Sequence, residues 1–292
     1  MKNLFLSILI FCALSHSVSA NNTFFQYPQA PENLTTLTQR TNYVVEHFWD
    51  NCDLKSAFSS QDKLKKAFGD YVSLMQYATL DTINISIDNL IKKVKKTPKN
   101  MLTLAYIAEE TLYGDSAIFW SDELYMPFAK AVVDTKKISK AEKARFKHQT
   151  NILTNSLEGN VAPTFNYVTP SGETMTFDSI FSPTIILFFN DPDCTDCQLA
   201  KVRLATEINL NKLINAGVLT FMSIYPGEAT DDWKNEVCSY PQNWVVGACD
   251  KIYDLYDMRT TPMIYFLDDK HKILKKHLNV DDILNVVRNM NL

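Results

Sequence analysis

Apolar residues recur at helical spacing through the first half of the chain and change to short continuous runs in the second. Leu64, Ala67, Phe68, Tyr71 and Met75 fall on one stripe, as do Ile83, Ile87, Leu90, Ile91 and Val94. A repeat of three and four positions is what a helix needs to turn one face to a core. Helices are predicted near residues 34–50, 62–78, 82–96, 98–113, 122–134 and 139–157. The last begins at Ser139-Lys140-Ala141-Glu142, where serine and glutamate three apart can satisfy each other's orphan amides. Short polar loops join these segments, as in a helical bundle.

The pattern switches at Glu158-Gly159-Asn160-Val161-Ala162-Pro163. Strands are predicted at 164–168 and 173–177 around the turn Pro170-Ser171-Gly172, then at 184–190, 218–225 and 244–248. A helical stretch covers 197–216, a second hairpin surrounds Asp268-Asp269-Lys270, and a final helix spans 280–290 with Ile283, Leu284, Val287 and Met290 on one side. Alternation of strands with helices, closed by a hairpin and a helix, predicts a mixed sheet flanked by helices: an α/β domain at 158–292 behind an all-α domain at 21–157.

The first twenty residues change the picture. A lysine at position 2, an apolar stretch from Leu4 to Leu14 and the small residues Val18-Ser19-Ala20 have the form of a secretory signal peptide cut near Ala20. The stretch is too short to cross a bilayer as a helix. Cys12 inside it lacks the small residues that precede a lipid-modified cysteine, so an exported, periplasmic protein without a lipid anchor is expected. Five cysteines then remain (Cys52, Cys194, Cys197, Cys238 and Cys249), too few for a disulfide-stapled scaffold of this length. The formal net charge of −4 gives no sign of a nucleic-acid partner, and the basic run at 92–96 reads as the solvated end of a helix.

Asp193-Cys194-Thr195-Asp196-Cys197 follows the most strand-like run of the chain. A Cys-x-x-Cys at a strand-to-helix junction puts its first sulfur at a helix N-terminus, where unpaired N–H groups and the helix dipole favour a thiolate. The second lies about one turn further on, within reach of a disulfide. Asp193 and Asp196, with Asp191, place negative charge beside the sulfurs, which opposes thiolate formation and shifts the pair towards a reductant. Cys238 and Cys249 read either as a structural disulfide or as two free thiols; their spacing argues against a zinc site, and no metal is expected. Cys52, after Phe48 and Trp49, reads as a core residue.

Ala162-Pro163-Thr164-Phe165 with its hairpin, the cysteine pair, Tyr225-Pro226-Gly227-Glu228 and Thr260-Thr261-Pro262 ahead of a strand resemble the exported TlpA/ResA-like group of thioredoxin-fold proteins over 158–292. The resemblance implies a cis bond at Pro262, with the Thr261 backbone offered to an incoming peptide, Cys194 as nucleophile and Cys197 as resolving thiol. It implies protein disulfide or dithiol substrates, an electron donor such as a membrane thiol reductase, and no cofactor beyond the Cys194–Cys197 disulfide. A disulfide reductase or isomerase is therefore expected, against the alternative of a non-catalytic binding protein built on the same scaffold. Two features depart from the pattern. Asp193 stands where tryptophan is usual, and Phe188 where thioredoxin has a buried acid; Glu228 is the speculative substitute, read first as a solvated loop carboxylate. More faintly, residues 43–50 and Tyr125-Met126-Pro127 resemble helical domains of unknown function that precede thioredoxin-like domains.

Overall fold

The computed structural model describes residues 24–114 and 116–290, so the signal segment at 1–20 lies outside the described residues. The chain divides into two compact units, one ending at Lys143 and one beginning at Ala144.

The first unit is helical: α1 (Leu37–His47), α2 (Leu54–Ala57), α3 (Gln61–Met75), α4 (Leu80–Val94), α5 (Pro98–Leu112), α6 (Asp122–Asp134) and the start of α7 (Lys140–Asn155). The stripes predicted from spacing are the buried faces of α3 and α4. Phe48, Phe68, Tyr71 and Phe128 are fully buried, and Tyr71 donates a 2.7 Å hydrogen bond to Ser86, which in turn bonds the Val45 carbonyl at 2.6 Å. Trp49 is buried with them, whereas Cys52 is half-buried rather than a core residue, its thiol pushed up to about 11 by burial. The Ser139–Glu142 capping box forms in both directions, at 3.1 and 3.3 Å.

The end of α7 is hydrogen-bonded to residues that follow it in the chain. The Thr154 carbonyl accepts a bond from the Asn160 side chain, and the Ser156 hydroxyl accepts one from the Asp257 amide. The end of the helix is thereby tied to the second unit.

That unit holds a seven-stranded sheet in the order β2-β1-β5-β4-β3-β6-β7. Its strands are β1 (Asn166–Val168), β2 (Thr174–Thr176), β3 (Thr184–Phe189), β4 (Leu219–Tyr225), β5 (Val245–Ala248), β6 (Met263–Asp268) and β7 (Ile273–Lys275). β3, β4 and β5 are parallel neighbours; β6 pairs antiparallel with β3, and β1 with β5. Gly172 supplies the left-handed φ of 88° that the β1–β2 turn requires. Helical connections follow β3 and β4, as parallel pairing demands: α8 (Thr195–Ala205), α9 (Ile208–Asn215) and α10 (Asp231–Val237), with α11 (Ile252–Leu255) and α12 (Val280–Asn289) later.

The single helix expected at 197–216 is two. Thr206 turns its hydroxyl back onto the Val202 carbonyl at 2.8 Å, and Glu207 caps α9. Side-chain bonding to the local backbone competes with helix continuation at such a site.

β3 reads as an unbroken apolar run because both sheet faces are covered. Ile186 and Phe188 enter one core with α8, α9, α10 and α12. Ile185, Leu187 and Phe189 enter the other, with Phe165, Phe177, Tyr256 and Tyr265. The end of β3, where it leaves both cores, positions the cysteines.

Candidate redox site

Cys194 is the N-cap of α8, with φ −88° and ψ 116°, and its sulfur accepts the Cys197 N–H at 3.2 Å. An N-cap side chain normally uses oxygen for this bond; a sulfur in that place sees the same orphan amides and the positive end of the dipole. The loop before it is folded tightly, with the Asp191 carbonyl accepting the Cys194 N–H at 3.1 Å and the Asp191 carboxylate accepting the Asp193 N–H at 2.9 Å. Cys194 is half-buried and Cys197 is 1% exposed.

Thr261 lies two residues before β6. Its carbonyl lies 3.7 Å from the Cys194 sulfur and its hydroxyl 3.9 Å, and the Thr261–Pro262 bond is cis. The structure therefore brings together Cys194, Cys197, Thr261 and Pro262. The Cys197 thiol is pushed up to about 12, first by burial and next by the adjacent Cys194 sulfur; the Asp191 backbone and the Thr261 hydroxyl pull the other way. Cys197 thus holds its proton while Cys194 is the more accessible sulfur. That asymmetry suits one sulfur to attack and the other to follow.

Asp193 and Asp196 are exposed, so water screens their charge. Asp191 is half-buried and acts on its surroundings: after burial, its charge is the main cause holding the Tyr253 phenol above its ordinary range, and Asp191 and Asp193 do the same for Tyr225. Glu228 is an exposed loop residue.

Cys238 and Cys249 are free thiols. Cys238 ends α10, whose Trp233 and Val237 pack in one core, while Cys249 packs in the core on the opposite face of the sheet. Cys238 is exposed and Cys249 is buried.

Two features were not predicted. Phe188 is buried against Phe221 and Trp244, and the polar position on that face is Asn190, one pleat nearer the cysteines. Asn190 accepts from the Tyr240 hydroxyl at 2.9 Å and donates to Ser223 at 2.6 Å, all three being buried. The Lys201 ammonium, one turn beyond Cys197 on α8, sits 4.3 Å over the Tyr240 ring. An asparagine ending an apolar strand and a serine inside another were the available signals. The second is the buried pair Asp257–Arg259, just before Thr261.

Residues 13–156 match a family described as a domain of unknown function, DUF5106. A thioredoxin-like protein from Bacteroides caccae is 24% identical, with a TM-score of 0.78 over 91% of this chain and 98% of its own. The C-terminal domain of an uncharacterized protein from Bacteroides fragilis is 27% identical over 46% of this chain and 99% of its own, at a TM-score of 0.44. The thioredoxin domain of a thiol-disulfide oxidoreductase from Bacteroides vulgatus is 22% identical over 45% of this chain and 96% of its own, at a TM-score of 0.40. No curated protein matches the chain.

The fold is thioredoxin-like, preceded by a helical region.

Proposed function

We propose that the protein is an exported thiol–disulfide oxidoreductase of the TlpA/ResA-like kind, working as a disulfide reductase or isomerase through Cys194 and Cys197. The observation that carries this reading is the position of the Cys194 sulfur: capping α8, 3.2 Å from the Cys197 N–H and 3.7 Å from the Thr261 carbonyl. Nucleophile, resolving thiol and a main-chain platform for a peptide then share one place.

In the reductive direction the Cys194 thiolate attacks one sulfur of a substrate disulfide. A Cys194–substrate bond forms, the substrate S–S bond breaks, and the departing thiolate takes a proton from solvent. Cys197 gives up its proton and attacks the Cys194 sulfur, releasing the second substrate thiol and leaving the Cys194–Cys197 disulfide. Two electrons and two protons pass to the substrate, and a donor thiol outside the chain must restore the dithiol. As an isomerase, a different thiolate of the same substrate attacks the substrate sulfur of the mixed disulfide in place of Cys197, forming a new substrate disulfide and releasing the Cys194 thiolate.

The acidic residues Asp191, Asp193 and Asp196 around the pair in the chain support the reducing direction, because negative charge near sulfur favours the disulfide form of the enzyme. Equilibration with glutathione tests this. A reduction potential nearer thioredoxin than the strong periplasmic oxidases is expected. A potential as high as theirs overturns the direction. Equal insulin-reducing activity in wild type and Cys194→Ser overturns the enzyme.

A further inference from the structure

The Thr261 platform is only as good as the segment that holds it, and that segment contains a buried ion pair. Asp257 is 1% exposed, and both its carboxylate oxygens are taken by Arg259, Nε to Oδ1 at 2.8 Å and Nη2 to Oδ2. The Arg259 side chain is 8% exposed. His277 Nε2 lies 3.4 Å from the same carboxylate. The backbone of Asp257 is held too: its carbonyl accepts the Tyr265 hydroxyl from β6 at 3.3 Å and its N–H reaches Ser156 at 3.4 Å. The stretch from 257 to 265 is thus closed on itself, with Thr261 at its middle.

A two-pronged guanidinium–carboxylate pair fixes orientation as well as distance, which a single ammonium contact does not. Stability alone does not account for such a pair inside a protein. Desolvation offsets much of its attraction, and apolar replacements of both partners are often neutral or stabilising. Geometry is what the pair supplies.

We propose that Asp257 and Arg259 are positioning residues for peptide substrates, their buried fork holding the Thr261 main chain at the distance from Cys194 that a docked peptide disulfide needs. This rests on the thiol–disulfide reading. It separates two classes of substrate. A polypeptide disulfide that lays its backbone along Thr261 depends on the fork; a small aromatic disulfide that meets only the Cys194 sulfur does not.

The test compares reduction of insulin with that of 5,5′-dithiobis(2-nitrobenzoate) by the full chain. Arg259→Lys keeps the charge and loses the fork. The double change Asp257→Leu/Arg259→Met removes both charges of the fork together, and so keeps the test usable if the single variant fails to fold. For insulin, the second-order rate constant of the pre-reduced chain is expected to fall about ten-fold or more, since small misplacements of reacting groups cost rate steeply, while that for the aromatic disulfide stays within about two-fold of wild type. Unchanged insulin reduction in the double variant overturns the proposal, as does an equal loss on both substrates. A wild type inactive on both overturns the thiol–disulfide reading and this inference with it. With a wild type active on both, any difference between the variants falls on Asp257 and Arg259 alone.

Discussion

The sulfur of Cys194 lies 3.7 Å from the carbonyl oxygen of Thr261, a residue 67 positions away in the chain. One sits where β3 meets α8 and the other just before β6, and antiparallel pairing of those strands sets Phe189 opposite Met263. Sheet register, not local geometry, makes the contact. Any change that shifts β6 against β3 should separate nucleophile from platform.

Cys197→Ser should accumulate mixed disulfides, because Cys194 can still attack but nothing in the pair resolves the product. Non-reducing electrophoresis of the variant should show partner adducts that vanish on adding dithiothreitol. Cys194→Ser should show none, since Cys197 is 1% exposed.

The Cys197 thiol, raised from an ordinary 9.0 to about 12, has two consequences with pH. With the aromatic disulfide, the second release step should speed up by about ten-fold per pH unit between pH 7 and 9, as the thiolate fraction does far below the pKa. A flat profile would show that another group takes the proton. Stability moves in the opposite direction. The folded dithiol holds its proton more tightly than the unfolded chain, so this contribution is complete below about pH 9 and is lost as pH rises towards 12. Denaturant titrations should show the reduced form losing stability over that window relative to the disulfide form.

Gly247→Ala should destabilise the second unit. A Cβ there would collide with the Tyr167 ring and meet Ile224 at 3.2 Å, between β5 and its neighbours β1 and β4. Overpacking of this kind costs about 1–3 kcal/mol, readable as a shift in denaturation midpoint.

Tyr240→Phe removes the donor to Asn190 and leaves a buried amide oxygen short of a partner. A loss of about 1–3 kcal/mol is expected by chemical denaturation. Replacing Asn190 by leucine in the same chain should cost less than the sum of the two single changes, because the orphaned group is gone.

Alkylation of the native chain followed by peptide mapping should modify the exposed Cys238 and leave Cys249 unmodified until the protein is unfolded. Cys249 is 7% exposed and burial raises its thiol. Protection of both together would mean that they pair.

Elements that bury one face were legible because a period of 3.6 or of 2 is written directly in residue order. The α3 and α4 stripes are examples, and the continuous 184–190 run marks a strand covered on both faces. The cysteine pair was legible because its spacing alone fits one helical turn. Glu207, which splits α8 from α9, was harder to read, since a cap depends on which of several polar residues meets the backbone. Cys238 and Cys249 stayed ambiguous for a different reason. Whether two such thiols meet depends on how the segments around them pack, and residue order does not state that.

The sequence by itself determined a helical half, a mixed-sheet half and two thiols at a helix start, because these arise from short-range periodicity and spacing. Only the tertiary structure decided that Thr261 faces Cys194 and that Asn190, Ser223 and Tyr240 share one buried network. Each joins residues distant in the chain, and strand register and the burial of both sheet faces bring such residues together.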